Sequence, residues 1–298
     1  MLDLDAVHSF VVFAEKRDFT HAAEELAISQ PALHVKIRKL SDALGIPLYR
    51  RNGRALELTA AGLTVARYGR ELRGNIDEFL AKLRGESVVE PVVLAAGEGA
   101  FLYLLGAAIR AYLDGAPAPL QLLTRDREGT LEALRNGEAQ LGVATLDVHP
   151  SDLIAIPLLR APQVVVMPSR HRLARKRELE PRDLAGMPLI VPPAGRPHRD
   201  AISRALLDAG ISWRVAVEAN GWPVMLELVH SGIGLAIVNS SCILPKGLTA
   251  RPLRGLPATH YHLLHRRGRM SEPVLRLATL VRETIAQRDH SRRQSAKG

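Results

Sequence analysis

The sequence holds a single cysteine, Cys242, among its 298 residues. One thiol excludes an intrachain disulfide and suits a reducing compartment better than a cross-linked, secreted scaffold. Standing alone in an apolar stretch, Cys242 reads as a core residue. No apolar run approaches the roughly 20 residues that span a bilayer. Met1-Leu2-Asp3-Leu4-Asp5 places acids where a signal peptide carries lysine and arginine. The expectation is a cytoplasmic chain, neither exported nor anchored, with no membrane partner. Catalytic signatures are missing as well. There is no Gly-x-Ser-x-Gly elbow and no His-Glu-x-x-His helix, so nothing points to an enzyme. Gly232-Ile233-Gly234 lacks the third glycine of a dinucleotide loop and follows a helix instead of preceding one. His260, His262 and His265 have no cysteine or acid at a convincing ligand spacing. Neither a cofactor nor a metal is expected.

What is present begins with size and charge. The length suits two or three domains, and 47% hydrophobic residues supply ordinary cores. The net charge of +9 invites a nucleic-acid reading, but its distribution matters more. Residues 1–88 carry 13 lysines and arginines against 12 acids, a net of +1. The excess lies in Arg160–Arg182 and from Arg266 onward. Within residues 30–54, however, Lys36, Arg38, Lys39, Arg50, Arg51 and Arg54 face one acid, Asp42. That local cluster argues for DNA better than the global charge does.

Leu4, Val7, Val11 and Ala14 recur at helical spacing, with Phe10 and Phe13 widening the stripe. Thr20 is read as the N-cap of a short helix from His21 to Ala27, and Ser29 as the cap of a longer one. Pro31 is tolerated in that helix's first turn, whose N–H groups have no intrahelical partner. The helix should end at Leu44, with Gly45 giving a left-handed exit and Pro47 blocking resumption. Two helices across a tight turn, followed by Arg50-Arg51-Asn52-Gly53-Arg54, describe a winged helix-turn-helix.

From Thr59 to about Arg84, Val65, Gly69, Leu72, Ile76, Phe79 and Leu83 recur as a narrow heptad seam. A stripe this narrow suits a helix pair, hence dimerisation, with packing on the chain's own second domain as the alternative. Gly85-Glu86-Ser87 reads as a hinge. Beyond it, strands are predicted at 92–96, 120–124, 141–144, 164–167, 189–191, 214–218 and 235–238. Helices fall at 101–113, 130–136, 199–208 and 224–231. This alternation implies two lobes with parallel sheets and crossover helices, the chain passing between them at 160–163 and 264–269. The tail after Arg288 is polar and should fray.

Phe19-Thr20-His21-Ala22-Ala23-Glu24-Glu25-Leu26-Ala27-Ile28-Ser29-Gln30-Pro31-Ala32-Leu33 strongly resembles the LysR-type signature. The resemblance continues through Ile37, Leu40, Leu44-Gly45, Leu48-Tyr49-Arg50-Arg51 and Leu58-Thr59-Ala60-Ala61-Gly62, covering residues 4–62. Leu131–Gly137 with Leu141–Ala144, and Val229–Ala236, look like the family's effector-domain pattern. The resemblance implies an α/β protein with an N-terminal all-α winged helix-turn-helix. A long linker helix would join it to a two-lobed, periplasmic-binding-protein-like effector domain. The expected divisions are 1–59 for DNA, 60–87 for the linker and dimerisation helix, and 88–298 for the effector. Lobe I would take about 88–160 and 268–288, and lobe II about 161–267. The implied partners are promoter DNA, a small-molecule effector and further copies of the chain as a dimer or tetramer, with RNA polymerase as an additional candidate. His34 stands where the family usually has serine, Val35 where it has a basic or polar residue, Ser41 where it has glutamate, and Tyr49 where it has phenylalanine. A solute-binding transport component and an α/β enzyme are the competing readings; the missing signal peptide and the helix-turn-helix weigh against the first.

On the recognition helix, Leu33, Ile37, Leu40 and Leu44 share one face at 100° per residue. Pro31, Val35, Arg38, Lys39 and Asp42 point the opposite way, with His34 on the flank. Gln30 leads the helix, where such motifs meet base edges and where glutamine can pair with adenine; Val35 can touch only a thymine methyl or other apolar surface. Arg38, Arg51 and Arg54 suit phosphates. Thr20 joins them as a candidate DNA contact. In the second half, the rule that ligands sit beyond the carboxyl ends of strands selects Gly97-Glu98-Gly99-Ala100, Thr145, Pro192–Arg196 with Gly195, and Ala219-Asn220-Gly221. Arg196 suits a carboxylate. Glu98 beside a helix N-terminus would repel one, so a zwitterion or amine is favoured over a dicarboxylate.

Overall fold

The computed structural model describes residues 3–52, 55–84 and 90–295. Arg54 and the expected hinge at Gly85–Ser87 lie outside the described residues. Two compact units emerge: residues 1–94 with 116–123 and 131–140, and residues 95–115, 124–130 and 141–298. Among the described residues no helix is long and apolar enough to cross a membrane.

The first unit opens with α1 (Leu4–Lys16), whose N-terminal amides at Asp5 and Ala6 donate to Asp3 Oδ1 at 3.0 and 3.4 Å. Val7, Phe10, Val11 and Phe13 are buried, whereas Leu4 is exposed and outside the stripe. The second helix, α2 (Phe19–Glu25), begins earlier than expected. Its cap is Asp18, whose Oδ1 accepts from Thr20 N at 2.7 Å and His21 N at 3.0 Å. An ionised carboxylate is the stronger acceptor for these free amides, so Thr20 falls inside the first turn with its side chain exposed.

Ala27 makes the tight turn at φ 52°, and α3 (Gln30–Leu44) follows, with Ser29 Oγ accepting from Ala32 N at 3.3 Å. Gly45 closes it at φ 68°, as anticipated. Leu33, Ile37 and Leu40 enter a core with Phe10, Phe13, Phe19 and Leu48, each worth about 1.5–3 kcal/mol on burial. The wing is an antiparallel pair, β1 (Tyr49–Asn52) and β2 (Ala55–Leu58). Thr59 Oγ1 then accepts from Gly62 N at 3.0 Å and starts α4 (Ala60–Arg84).

Next come β3 (Val92–Ala96), a short α5 (Glu98–Ala100), a π-helical turn (Phe101–Leu105) and α6 (Gly106–Leu113). They are followed by β4 (Leu120–Thr124), α7 (Arg127–Arg135), β5 (Leu141–Thr145), β6 (Leu153–Ala161) and β7 (Gln163–Pro168). Two 3-10 turns, Arg172–Arg175 and Pro181–Leu184, lead to β8 (Pro188–Val191), α8 (Pro197–Asp208), β9 (Arg214–Glu218) and α9 (Trp222–His230). The chain ends with β10 (Leu235–Asn239), β11 (Leu248–Pro252), β12 (Thr259–Arg266) and α10 (Glu272–Ser295).

The strands form two five-stranded sheets, ordered β4-β3-β5-β12-β6 and β11-β7-β10-β8-β9. Neither is wholly parallel, contrary to expectation. β12 runs antiparallel to both β5 and β6, and β7 runs antiparallel to β10 and β11; β8 is parallel to β9 and β10. The first passage between sheets is at Pro162, within the predicted window. The second lies between Pro252 and Thr259, not at 264–269, because β12 is one continuous strand of the first sheet. Gln163 Nε2 ties the two passages together, donating to Pro257 O and Thr259 Oγ1 at 3.1 Å each. The predicted frayed tail is instead helical to Ser295, and Arg288 anchors it by donating to Ser241 O at 3.0 Å.

Candidate functional site

The outward face of α3 presents Gln30, Pro31, Val35, Arg38 and Lys39, all exposed. They are placed there because Leu33, Ile37 and Leu40 at helical spacing hold the opposite face in the core. Val35 is 52% exposed, so its methyls gain nothing from the fold. An open groove of about 840 Å³ runs between this face and the wing, lined by His34, Val35, Arg38, Arg50 and Arg51 among others.

Neighbouring charges differ in availability. Arg50 pairs with Glu57 at 3.0 Å across the hairpin. Arg51 points to the other face of the strand and, like Lys39, has no ion pair among the described residues. Arg38 only grazes Asp42 at 3.9 Å. The His34 ring stacks on Phe19 with centroids 3.6 Å apart and planes at 17°. Its one face is occupied by the fold, and only its edge and other face can reach a partner.

The predicted seam on α4 divides. Val65 packs on the helix-turn-helix core, and Gly69 is buried against α1. Those two positions serve the chain's own fold, because α1 crosses the helix there. Leu72 is half-buried. Ile76, Phe79 and Leu83 are 39%, 59% and 68% exposed, joined by Leu80 at 38%.

In the second unit, the loops after the strands supply the second candidate site. Glu98 and Gly99 at the end of β3 stand opposite Gly221 and Trp222 after β9. The Glu98 Oε2 oxygen lies only 3.3 Å from where a Cβ on Gly221 would sit, and a Cβ on Gly99 would lie 3.7 Å from the Trp222 ring. Gly221 adopts φ 80°, a conformation that favours glycine. Tyr103 stacks toward Trp222 with centroids 6.4 Å apart. Burial, reinforced by Cys242 and Glu98, pushes its phenol up to about 12, so it stays a neutral donor.

The remaining candidates scatter. Arg196 is more than half exposed and meets Asp126 at 3.8 Å. Gly195 (φ 79°) and Asn220 are exposed, and Thr145 is half-buried opposite Tyr261. Ala100 has its methyl buried and its N–H donating to Gly97 O at 2.9 Å. Among the described residues no cluster of three or more histidines, cysteines or acids could hold a metal ion.

Residues 4–63 match the bacterial regulatory helix-turn-helix protein of the lysR family, and residues 86–286 match the LysR substrate binding domain. The chain belongs to the LysR family of transcription regulators. A RuBisCO operon transcriptional regulator of Allochromatium vinosum is 27% identical over 282 residues, covering 92% of this chain and 93% of its own. The HTH-type transcriptional activator CmpR of Synechocystis sp. is 26% identical over 276 residues, 88% and 90% of the two chains. Full-length OxyR from Pseudomonas aeruginosa superposes with a TM-score of 0.69 at 22% identity, covering 96% and 95%. Full-length CbnR complexed with its target DNA gives 0.57 at 24% identity, covering 95% and 99%. These two structural likenesses speak for the fold.

In this LysR-family regulator, sequence reasoning missed Tyr103, Asp126 and Trp222. Trp222 had a signal: it is one of two tryptophans, placed directly after a glycine at a helix start. Tyr103 had none, since an aromatic in an apolar helix looks like any core residue until its neighbour is known.

Proposed function

We propose that this LysR-family regulator binds promoter DNA as a dimer or dimer of dimers and responds to a small polar metabolite. The DNA-binding domain would be 1–59, the linker 60–87 and the effector domain 88–298. Gln30, Pro31, His34 and Val35 would face bases, while Thr20, Arg38 and Arg51 meet phosphates. The solved complex of CbnR with its target DNA supports this use of the shared fold. The exposed Ile76, Phe79 and Leu83, with Leu72 beside them, would pair with a second α4.

The observation that carries the effector reading is the Glu98 carboxylate set against Gly221, with the neighbouring Gly99 against the Trp222 ring. A carboxylate attracts an ammonium group by charge, and an aromatic ring in the same loop cluster can add cation–π contact. Arg196, shared with Asp126, suits a carboxylate. Zwitterions and amines are therefore the favoured class. A thermal-shift screen of the full chain with amino acids, amines and dicarboxylates tests this. A ligand at 100 times its dissociation constant adds about 2.7 kcal/mol, and E98Q should abolish that gain. Stabilisation by dicarboxylates that is strengthened in E98Q would overturn the reading.

A further inference from the structure

The helix-turn-helix and its linker explain little of the protein's charge. Residues 1–88 are nearly neutral, while the whole chain stands at +9. A large share of the excess sits in residues 160–182, where seven lysines and arginines face two acids. Neither base reading by α3 nor effector binding uses any of them.

The fold builds this run into a rigid basic surface. Leu173, Ala174 and Leu179 are buried and pin the segment to the second sheet's core. Arg251 then clamps it from β11: its Nε donates to Ala174 O at 3.0 Å and Lys176 O at 2.8 Å, and a terminal nitrogen to Ala174 O at 2.6 Å. Leu179 N donates to Pro252 O at 2.8 Å, and Ser169 N to Gly247 O at 2.8 Å. His171 Nδ1 accepts from Leu173 N at 3.3 Å and caps the 3-10 turn.

Nearby acids are already taken. Glu178 pairs with Arg254, Glu180 with Arg182, and Asp183 with Lys176. Arg170, Arg172, Arg175 and Arg177 are exposed and have no ion pair among the described residues; Arg172 reaches only the Met187 sulfur, at 3.9 Å. Four guanidinium groups without a counter-charge thus project, within eight residues, from a backbone that is held in place. The basic run itself offers no apolar anchor, because no large hydrophobic side chain is exposed along the chain between Val148 and Leu207. A protein partner needs such anchors at the centre of its interface. A phosphate backbone needs only fixed, forked cations.

We propose that Arg170, Arg172, Arg175 and Arg177 form a second, sequence-independent DNA contact that grips phosphates beyond the operator. It rests on the DNA-binding reading above. A contact with phosphates beyond the operator should matter for long DNA and not for a minimal site.

The test compares the full-length protein with its R170Q/R172Q/R175Q/R177Q variant on DNA from the gene's upstream region. One fragment is trimmed to the shortest footprint, about 30 base pairs, and the other extends to about 150; each is titrated across salt. On the long fragment the slope of log K against log salt should fall by roughly 0.9 for each phosphate no longer neutralised, with about a tenfold or greater drop in affinity near 0.15 M salt. On the short fragment slope and affinity should match the unsubstituted protein, and the melting temperature should not move. Equal slopes on both fragments overturn the proposal and leave operator binding intact, which is also what a surface for an acidic protein gives. If neither protein binds either fragment, the DNA-binding reading fails and takes this one with it.

Discussion

Gly69 on the long helix α4 lies so close to Val11 of α1 that a Cβ at position 69 would collide with Val11 Cγ2 and stand 2.9 Å from Val7 Cγ1. The glycine lets the linker helix sink onto the helix-turn-helix instead of projecting freely from it. Position 69 therefore belongs to the α1–α4 interface of this chain, although its spacing places it in a heptad seam.

Gly69→Leu should force α1 and α4 apart and destabilise the first unit by about 1–3 kcal/mol, the cost of overpacking. Gly106→Ala is the control. It sits in a helix with nothing within 4 Å of an added Cβ, and should gain about 0.5–1 kcal/mol from helix propensity. Thermal melts of both variants check the contrast; equal effects would mean that α1 and α4 pack loosely enough to admit a side chain at position 69.

The exposed half of the α4 stripe makes a separate prediction. Ile76→Glu with Phe79→Glu should leave the monomer's fold intact, since both side chains are exposed, Phe79 at 59% and Ile76 at 39%. Self-association, measured by sedimentation, should weaken by tenfold or more, about 1.4 kcal/mol. Unchanged association would assign dimerisation to another surface.

Acid should destabilise the second unit through three histidines. Burial holds His171, His198 and His262 below the ordinary 6.5, with Arg172 adding to the effect at His171 and His149 at His262. Unfolding raises their affinity for protons, so the unfolded state binds more protons between the depressed folded values and 6.5. Their stabilising contribution is full above about pH 6.5 and is lost as pH falls through the folded values. His171 Nδ1, an acceptor in its cap, must give up that bond on protonation. Melting temperatures from pH 7.5 to 5.5 should drop, well above the carboxylate range where Asp18 and Asp183 titrate low. A flat profile over that interval would contradict the burial of these rings.

Much of this architecture was readable beforehand. The α3 boundaries followed from Ser29, Pro31 and Gly45, and the sheet strands of pure aliphatic composition, such as Val92–Ala96 and Leu235–Asn239, announced themselves. What escaped was the antiparallel part. β6 carries Pro157, which counts against a strand unless it lies at an edge, and β6 is the edge strand of its sheet. β12 carries three histidines among its eight residues, which break the aliphatic pattern, yet His262 and His265 are buried in it. The strand-end rule selected Gly97–Ala100 and Ala219–Gly221 as candidate loops. The approach of Glu98 to Gly221 and of Gly99 to Trp222 was not legible, because it joins positions more than a hundred residues apart that no local spacing connects.

Val35 offers a test of how bases are read. Its exposed methyls among polar neighbours should contact a thymine methyl, so Val35→Ala should cost roughly 1 kcal/mol of operator affinity. The loss should shrink when one particular thymine becomes uracil, and the salt slope should hold. An equal loss on every DNA sequence would make Val35 structural.

The most direct test of promoter recognition by α3 and the wing is an anisotropy titration of the full-length protein on labelled DNA from its gene's upstream region, beside a variant carrying Gln30→Ala, Val35→Ala and Arg51→Ala. All three side chains are exposed, so the variant should melt with the unsubstituted protein. Tight, salt-sensitive binding at 10⁻⁸ M or below (order of magnitude) is expected for the unsubstituted protein, with specific affinity reduced by about a hundredfold or more in the variant. Indistinguishable titrations for the two proteins would contradict it.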